Sequence, residues 1–145
     1  MTAKQLCILA VLVSLTAALV LLGACSNKVE PGIPGQVIED VSLEEAFTLM
    51  EDNRGRHDFI IIDLRSADEY ASGHIEEAIN LDYSSPDFAR ELDELDRNNV
   101  YLLCSQKDDV SGRVLDMMVG LGFAEVYNMV GGMERWERIR LPQVK

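Results

Sequence analysis

Basic residues are scarce in this chain, and the shortage excludes one class of partner at once. Its 145 residues hold 13 Lys and Arg against 25 Asp and Glu, a formal net charge of −12 at pH 7. The only charged residue before Cys25 is Lys4, so residues 25 to 145 carry 12 basic and 25 acidic groups, a net −13. So acidic a domain repels polyanions, which argues against nucleic acid as a partner. Aromatics make up only 6% of the chain, and no basic patch or aromatic-plus-Arg platform argues the other way. Two histidines (His57 and His74) and three cysteines make no metal-ligand spacing. Internal repeats are absent.

Long apolar runs are confined to one place, Leu6 to Leu22, behind the short basic start Met1 to Gln5. That layout is expected of a targeting segment, to be kept out of fold reasoning. The run ends in Leu22-Gly23-Ala24-Cys25, which resembles the lipobox of bacterial lipoproteins. The small residues suit a peptidase cleft, and the resemblance implies that residues 1–24 are a signal peptide and that the Cys25 thiol takes the lipid. Several acyl chains on one residue hold a protein stably at a membrane. The alternative is an uncleaved anchor, since the run is only just shorter than a full span. The expected location is the bacterial cell envelope, on the outer side of the inner membrane or at the outer membrane. Ser26 to Gly35 is polar and rich in Pro and Gly, so residues 25–35 are expected to be the lipidated cysteine and a flexible tether. Cys7 leaves with the signal, so one free thiol remains in the domain, Cys104. It has no partner for an internal disulfide, although the expected compartment is oxidising.

Residues 36–145 alternate short apolar runs with helical patterns. Gln36 to Ile38 reads as a first strand, and Ser42-Leu43-Glu44-Glu45 as a capping box opening a helix to about Met50. Phe59 to Ile62 is a continuous apolar run of the kind buried on both faces of a parallel sheet. Ser66 to Glu69 is a second capping box, for a short helix ending at Gly73. Ala78 to Leu81 reads as a third strand, and Ser85-Pro86 as the start of a helix reaching about Leu95. Val100 to Leu103 is a fourth strand, stopping at Cys104. A loop then leads to a helix from about Val110 to Leu121, closed by Gly122. Glu125 to Tyr127 is a fifth strand, and Gly131-Gly132 opens a last helix through Trp136 to about Ile139. Strands separated by helices at this spacing predict βαβ crossovers and an α/β fold with a mostly parallel sheet covered on both faces.

Ligands of such folds gather at the carboxyl ends of strands, where Cys104 falls. A thiol between a strand's end and a helix's start lies near unpaired backbone N–H groups, which favour the nucleophilic thiolate. The other reading of the same position is a small buried hydrophobe with no chemistry.

Asp63 to Leu81 (DLRSADEYASGHIEEAINL) resembles the rhodanese-family motif D-x-R-x-x-x-E-[YF]-x-x-G-H-I-x-x-A-x-N-[IL], with all ten specified positions in agreement. Val126 to Trp136 resembles the family's second signature, which ends in G-G-[MI]-x-x-W. The resemblance implies a three-layer α/β/α domain with a five-stranded parallel sheet and sulfurtransferase chemistry. In that chemistry a cysteine takes a sulfane sulfur from a small donor, forms a persulfide and passes the sulfur to a thiol or other nucleophilic acceptor. No metal or organic cofactor is implied. Many family members follow the strand with C-x-x-G-x-R-S. Here the chain reads Cys104-Ser105-Gln106-Lys107-Asp108-Asp109-Val110-Ser111-Gly112-Arg113. Matching Ser111 to the family Ser without a gap puts Ser105 at the nucleophile position, whereas keeping Cys104 there makes the loop one residue longer. On the second register Cys104 is the catalytic residue, the amides of Ser105 to Ser111 cradle the persulfide, and Ser111 or Arg113 helps hold substrate.

The carboxylates of Asp108 and Asp109 then matter. One of them about 7 Å from a thiolate costs it up to roughly 2.4 kcal/mol at an effective dielectric near 20. A helix N-terminus contributes about 0.3–1 kcal/mol in the other direction, so the thiol is expected to titrate near its ordinary value. A doubly charged donor such as thiosulfate is repelled, and a polysulfide or persulfide is the better donor. Lys107 and Arg113 offset the acids if they turn inward. Asp63 and Arg65 either form an ion pair that fixes the loop, or Arg65 binds substrate. His74 is expected to be a hydrogen-bonded turn residue, and Trp136 with Met133 to pack the last helix on the sheet. Glu91, Asp93, Glu94 and Asp96 read as a solvated helix face. Two functions therefore stand at this point, a membrane-anchored sulfurtransferase or persulfide carrier acting through Cys104, and a binding or redox-sensing module that keeps the fold with little or no turnover. A phosphatase with a C-x-x-x-x-x-R loop is excluded, because Val110 stands where the Arg clamp belongs.

Overall fold

The computed structural model describes residues 35–145; the candidate signal peptide, Cys25 and all but the last residue of the tether lie outside the described residues. Five strands, β1 (Val37–Val41), β2 (Phe59–Asp63), β3 (Ile79–Asn80), β4 (Val100–Cys104) and β5 (Glu125–Met129), form one sheet in the order β1-β5-β4-β2-β3. All pairings are parallel. Five helices connect or follow them: α1 (Leu43–Asp52), α2 (Ala67–Ser72), α3 (Phe88–Asp93), α4 (Asp108–Leu121) and α5 (Gly132–Arg138).

Alternation along the strands divides the core in two. Ile61, Leu102, Cys104 and Met129 face α1 and α5, where they meet Ala46, Met133 and Trp136. Ile62, Tyr101, Leu103 and Val126 face α3 and α4, where they meet Phe88, Leu92, Val114 and Met118. Burying a side chain of this size stabilises by roughly 1.5–3 kcal/mol. Both clusters and every strand pairing lie within one compact unit, Pro31–Lys145, which therefore holds all that a domain needs to fold alone.

Local chemistry sets the helix starts. Ser42 and Glu45 form the expected capping box on α1, and Ser66 and Glu69 form the one on α2. Gly122, in the left-handed region at φ 82°, closes α4. Two starts differ from the sequence expectation. Ser85-Pro86 forms a turn instead of opening a helix; the Asp87 N–H donates to Ser85 Oγ and α3 begins at Phe88. Helix α4 begins at Asp108, two residues before the expected Val110. Carboxylates in the first turn complement the helix dipole, so Asp108 and Asp109 extend the helix.

Trp136 and Met133 are buried and hold α5 on the sheet. The Trp136 indole N–H donates to the Pro142 carbonyl at 3.0 Å, and Val144 pairs with His74 in an antiparallel bridge. Asp93, Glu94 and Asp96 are exposed and Glu91 is half-buried, on and just after α3. Among the described residues no helix is long and apolar enough to cross a membrane.

Candidate functional site

The carboxyl ends of β2 and β4 bring Asp63, Arg65 and Cys104 together. Asp63 and Cys104 are partners in the β2–β4 register. Arg65 follows two residues after Asp63 and folds back on it. Its Nη2 is 2.6 Å and its Nε 3.1 Å from Asp63 Oδ2, and its backbone N–H donates to Asp63 Oδ1 at 3.0 Å. Nη2 also donates to the Gly73 carbonyl at 2.7 Å, and Nη1 lies 3.7 Å from Glu137 of α5. Both side chains are almost fully buried. Burial works against the Arg65 charge, but the Asp63 hydrogen bonds and charge outweigh it, so its pKa stands above the ordinary value. Asn80 adds a brace, donating to the carbonyls of Asp63 and Arg65. The pair ties the end of β2 to the end of α2, and Nη1 extends it toward α5 without a hydrogen bond.

Cys104 is the last residue of β4, with 0% of its surface exposed. Its side chain belongs to the apolar cluster under α1 and α5. Burial first, and then the Asp63 carboxylate, push the thiol well above its ordinary value, against the opposing pull of Arg65. This corrects the expectation of a thiol near its ordinary pKa: desolvation outweighs the helix dipole, and the nearby carboxylate is Asp63 instead of a loop acid.

The irregular loop is shorter than expected. Only Ser105, Gln106 and Lys107 separate β4 from α4; Asp108, Asp109, Val110, Ser111 and Arg113 are helical. Ser105 opens the loop, the position the gap-free register gives to the nucleophile. It is 1% exposed, and its hydroxyl donates to the Lys107 carbonyl. The Ser105 and Gln106 carbonyls accept from the Met133 and Glu134 N–H groups at 2.8 and 3.2 Å. Gly132, at φ 56°, makes this approach possible, since a Cβ there would stand 2.5 Å from the Ser105 carbonyl oxygen. Asp108 accepts from the Gly131 N–H at 2.5 Å, so its carboxylate ties α4 to the turn before α5. Lys107 reaches Glu134 at 3.7 Å and lies outside the apolar cluster. Ser111 is buried with its hydroxyl on the Asp108 carbonyl, half-buried Gln106 and Val110 flank the loop, and Arg113 is exposed.

His74 sits in the turn after α2, its Nδ1–H on the Tyr70 carbonyl at 2.9 Å and its ring stacked on that of Tyr70. His57 is exposed. Among the described residues no three His, Cys, Asp or Glu side chains are grouped to hold a metal ion. The sequence reading missed an apolar hollow under α1, whose lining comes from four separate parts of the chain that only tertiary packing brings together.

The family model described as a rhodanese-like domain matches residues 43–139. The chain is 30% identical over 107 residues to the thiosulfate sulfurtransferase GlpE of Actinobacillus pleuropneumoniae serotype 7, a match covering 74% of this chain and 94% of that protein. It is 35% identical over 85 residues to the GlpE of Pseudomonas syringae pv. syringae, covering 58% and 76% respectively. Among solved structures, a rhodanese-related protein from Thermoplasma volcanium superposes with a TM-score of 0.62 at 18% identity, covering 73% of this chain and 97% of that one. That last likeness speaks to the fold.

Two outcomes follow from this geometry. Arg65→Leu leaves a buried carboxylate alone and should lower the stability of the Pro31–Lys145 unit by about 3–5 kcal/mol in urea unfolding. Asp63→Leu/Arg65→Leu together should cost less than Arg65→Leu alone, and a larger loss would refute the pairing. A raised folded pKa at Cys104 means that the unfolded chain loses its thiol proton first as pH rises. Stability is therefore fully present below the ordinary value of 9.0 and falls above it. Between pH 8 and 9.5 the Cys104 thiol should account for a fall of about 0.8 kcal/mol, and Cys104→Ala should remove that share and leave only the smaller fall due to the raised phenols. The phenols of Tyr101 and Tyr127, raised mainly by burial and Tyr127 to about 12, stay protonated in the fold over this window.

Proposed function

The chain belongs to the rhodanese-like domain family, and we propose that its domain works as a rhodanese-fold binding module, not as a sulfurtransferase turning over on Cys104. In this reading lipidated Cys25 holds it on the outer side of the inner membrane or at the outer membrane. The observation that carries the proposal is the burial of the Cys104 thiol in the apolar cluster of α1 and α5. A nucleophile must be ionised and reachable, and this thiol is neither. Ser105 supports the same reading, because a hydroxyl in the loop's opening position cannot carry a persulfide. The lipid anchor rests on the Leu22-Gly23-Ala24-Cys25 pattern behind the apolar run.

A second reading is favoured by the similarity to thiosulfate sulfurtransferases and by a thiol one residue from the loop. In it, β4's end opens and the Cys104 thiolate attacks the outer sulfur of thiosulfate. A new S–S bond forms, and sulfite leaves with the electron pair of the old one. The persulfide then yields its outer sulfur to a thiolate acceptor.

Intact-mass measurement on the Pro31–Lys145 unit separates the two. With thiosulfate or polysulfide at pH 8 the folded domain should gain no sulfur, while the urea-unfolded chain takes one from polysulfide. One sulfur on the folded domain, lost in Cys104→Ala, would overturn the binding-module reading. For the anchor, the full-length chain made in a bacterium should fractionate with membranes and carry acyl label, and Cys25→Ala should lose the label. Label retained in that variant refutes lipidation at Cys25.

A further inference from the structure

The apolar hollow missed by the sequence reading lies on the α1 and α5 face, away from the loop after β4. Phe47, Phe59, Ile61, Ile75 and Trp136 form its floor, and its volume is about 240 Å³. Along β2 its lining runs from Phe59, roughly 13 Å along the strands from the partner of Cys104, to Ile61, roughly 7 Å from it. A second hollow of about 200 Å³, lined by Leu43, Phe47, Ile139 and Leu141, lies on the other side of Phe47. Phe47 is 37% exposed and Ile139 52%, the most exposed large hydrophobic residue of the described chain. The Phe47 ring is tilted against that of Trp136, with centroids 6.5 Å apart. Phe47 lines both hollows, and we take the two together as one groove along α1.

The rim is acidic. Glu51, Glu76 and Glu77 line it against one cation, Arg54, which Glu51 holds at 2.5 Å. Glu76 and Glu77 are exposed and make no ion pair among the described residues. Glu77 has φ 66°, a backbone conformation that disfavours a residue with a Cβ. The turn after Ile75 therefore presents two adjacent carboxylates beside the groove.

We infer that this groove docks a partner peptide segment with two apolar side chains flanked by Lys or Arg. The floor supplies apolar seats, and the rim supplies three carboxylates against the single cation Arg54, whose charge Glu51, Glu76 and Glu77 share. The net −13 of residues 25 to 145 steers cations toward the domain. A second copy of this chain fits poorly, because a two-fold contact sets each patch against itself and the acidic rims would meet. An anionic lipid surface is repelled for the same reason. The inference goes beyond the binding-module reading and does not depend on Cys104.

Trp136 is the only tryptophan of the chain and lines the groove, so its emission reports occupancy. The Pro31–Lys145 unit is titrated at low salt with acetyl-Lys-Leu-Lys-Leu-Lys-amide, whose leucines share one side when extended. The acidic counterpart acetyl-Glu-Leu-Glu-Leu-Glu-amide is titrated in parallel. The expected result is a saturable change with the basic peptide and binding about tenfold weaker or worse with the acidic one. Glu76→Lys together with Glu77→Lys should abolish that preference. Phe47→Ser, folded by circular dichroism, should lose the response, and Met117→Ser on the opposite face should keep it. No response to the basic peptide overturns the inference, and so does an equal response to both peptides. Self-association that Phe47→Ser abolishes would make the occupant a second copy and overturn it as well. Sulfur uptake by Cys104 leaves this titration unaffected, so the two proposals fail separately.

Discussion

The buried pair of Asp63 and Arg65 is the constraint around which the carboxyl edge of the sheet is arranged. Taking two charges out of water costs several kcal/mol per ion unless hydrogen bonds satisfy both. Here the carboxylate receives the guanidinium and the Arg65 N–H, while the guanidinium also reaches Gly73 and approaches Glu137. These contacts come from β2, the end of the next helix α2, and α5 (Gly132–Arg138), which lies much further along the chain. Asn80 then fixes the backbone on either side of Leu64. Nε and Nη2 are committed to Asp63 and Gly73, so the pair's first part in the site is to position what surrounds it, and only Nη1, 3.7 Å from Glu137, makes no hydrogen bond among the described residues.

What surrounds it includes Cys104, and the register of β2 with β4 decides the fate of that thiol. Partners in a parallel sheet point to the same face, so Cys104 and Asp63 both turn toward α5. Under α5 the thiol meets apolar side chains and a carboxylate, and both disfavour the thiolate. The loop that follows is short because Asp108 and Asp109 suit the first turn of a helix better than a coil. One of them is further committed to the Gly131 N–H. The carboxylates that look in sequence like a barrier to an anionic donor are therefore structural in part, joining α4 to the turn before α5.

Much of this was legible in the sequence wherever local chemistry decides the outcome. The boxes Ser42–Glu45 and Ser66–Glu69 start helices because each pairs a side-chain acceptor with orphan N–H groups. Phe59 to Ile62 is a strand because a run apolar on both faces has few other places to go. Asp63 and Arg65, two residues apart at the end of a strand, offered an ion pair as one of two readings, and that pair is present. Less legible was the direction of Cys104. Tyr101-Leu102-Leu103-Cys104 is buried on both faces and shows no alternation, so the pattern does not say which face any one side chain takes. The groove was not legible either, because Phe47, Phe59 and Trp136 meet only through tertiary packing. Ser85-Pro86 misled because the serine satisfies a turn N–H, leaving α3 without a side-chain cap.

On the binding-module reading, the burial of Cys104 also protects it. A lone thiol in an oxidising compartment reacts in proportion to its exposure and its thiolate fraction. Inside the apolar cluster both are low, and the residue serves as a small hydrophobe of the core. If the domain stands outside the inner membrane, as the apolar leader and Cys25 argue, such a thiol persists without a disulfide partner. The chemical distinction of the carboxyl edge is then diminished, and the surface least accounted for by folding is the groove along α1. Its Phe47 and Ile139 leave much of their apolar surface to solvent, and the left-handed Glu77 costs about 1 kcal/mol. Features that lower stability and solubility persist where something binds them, and the acidic rim sets the sign of the charge that must arrive.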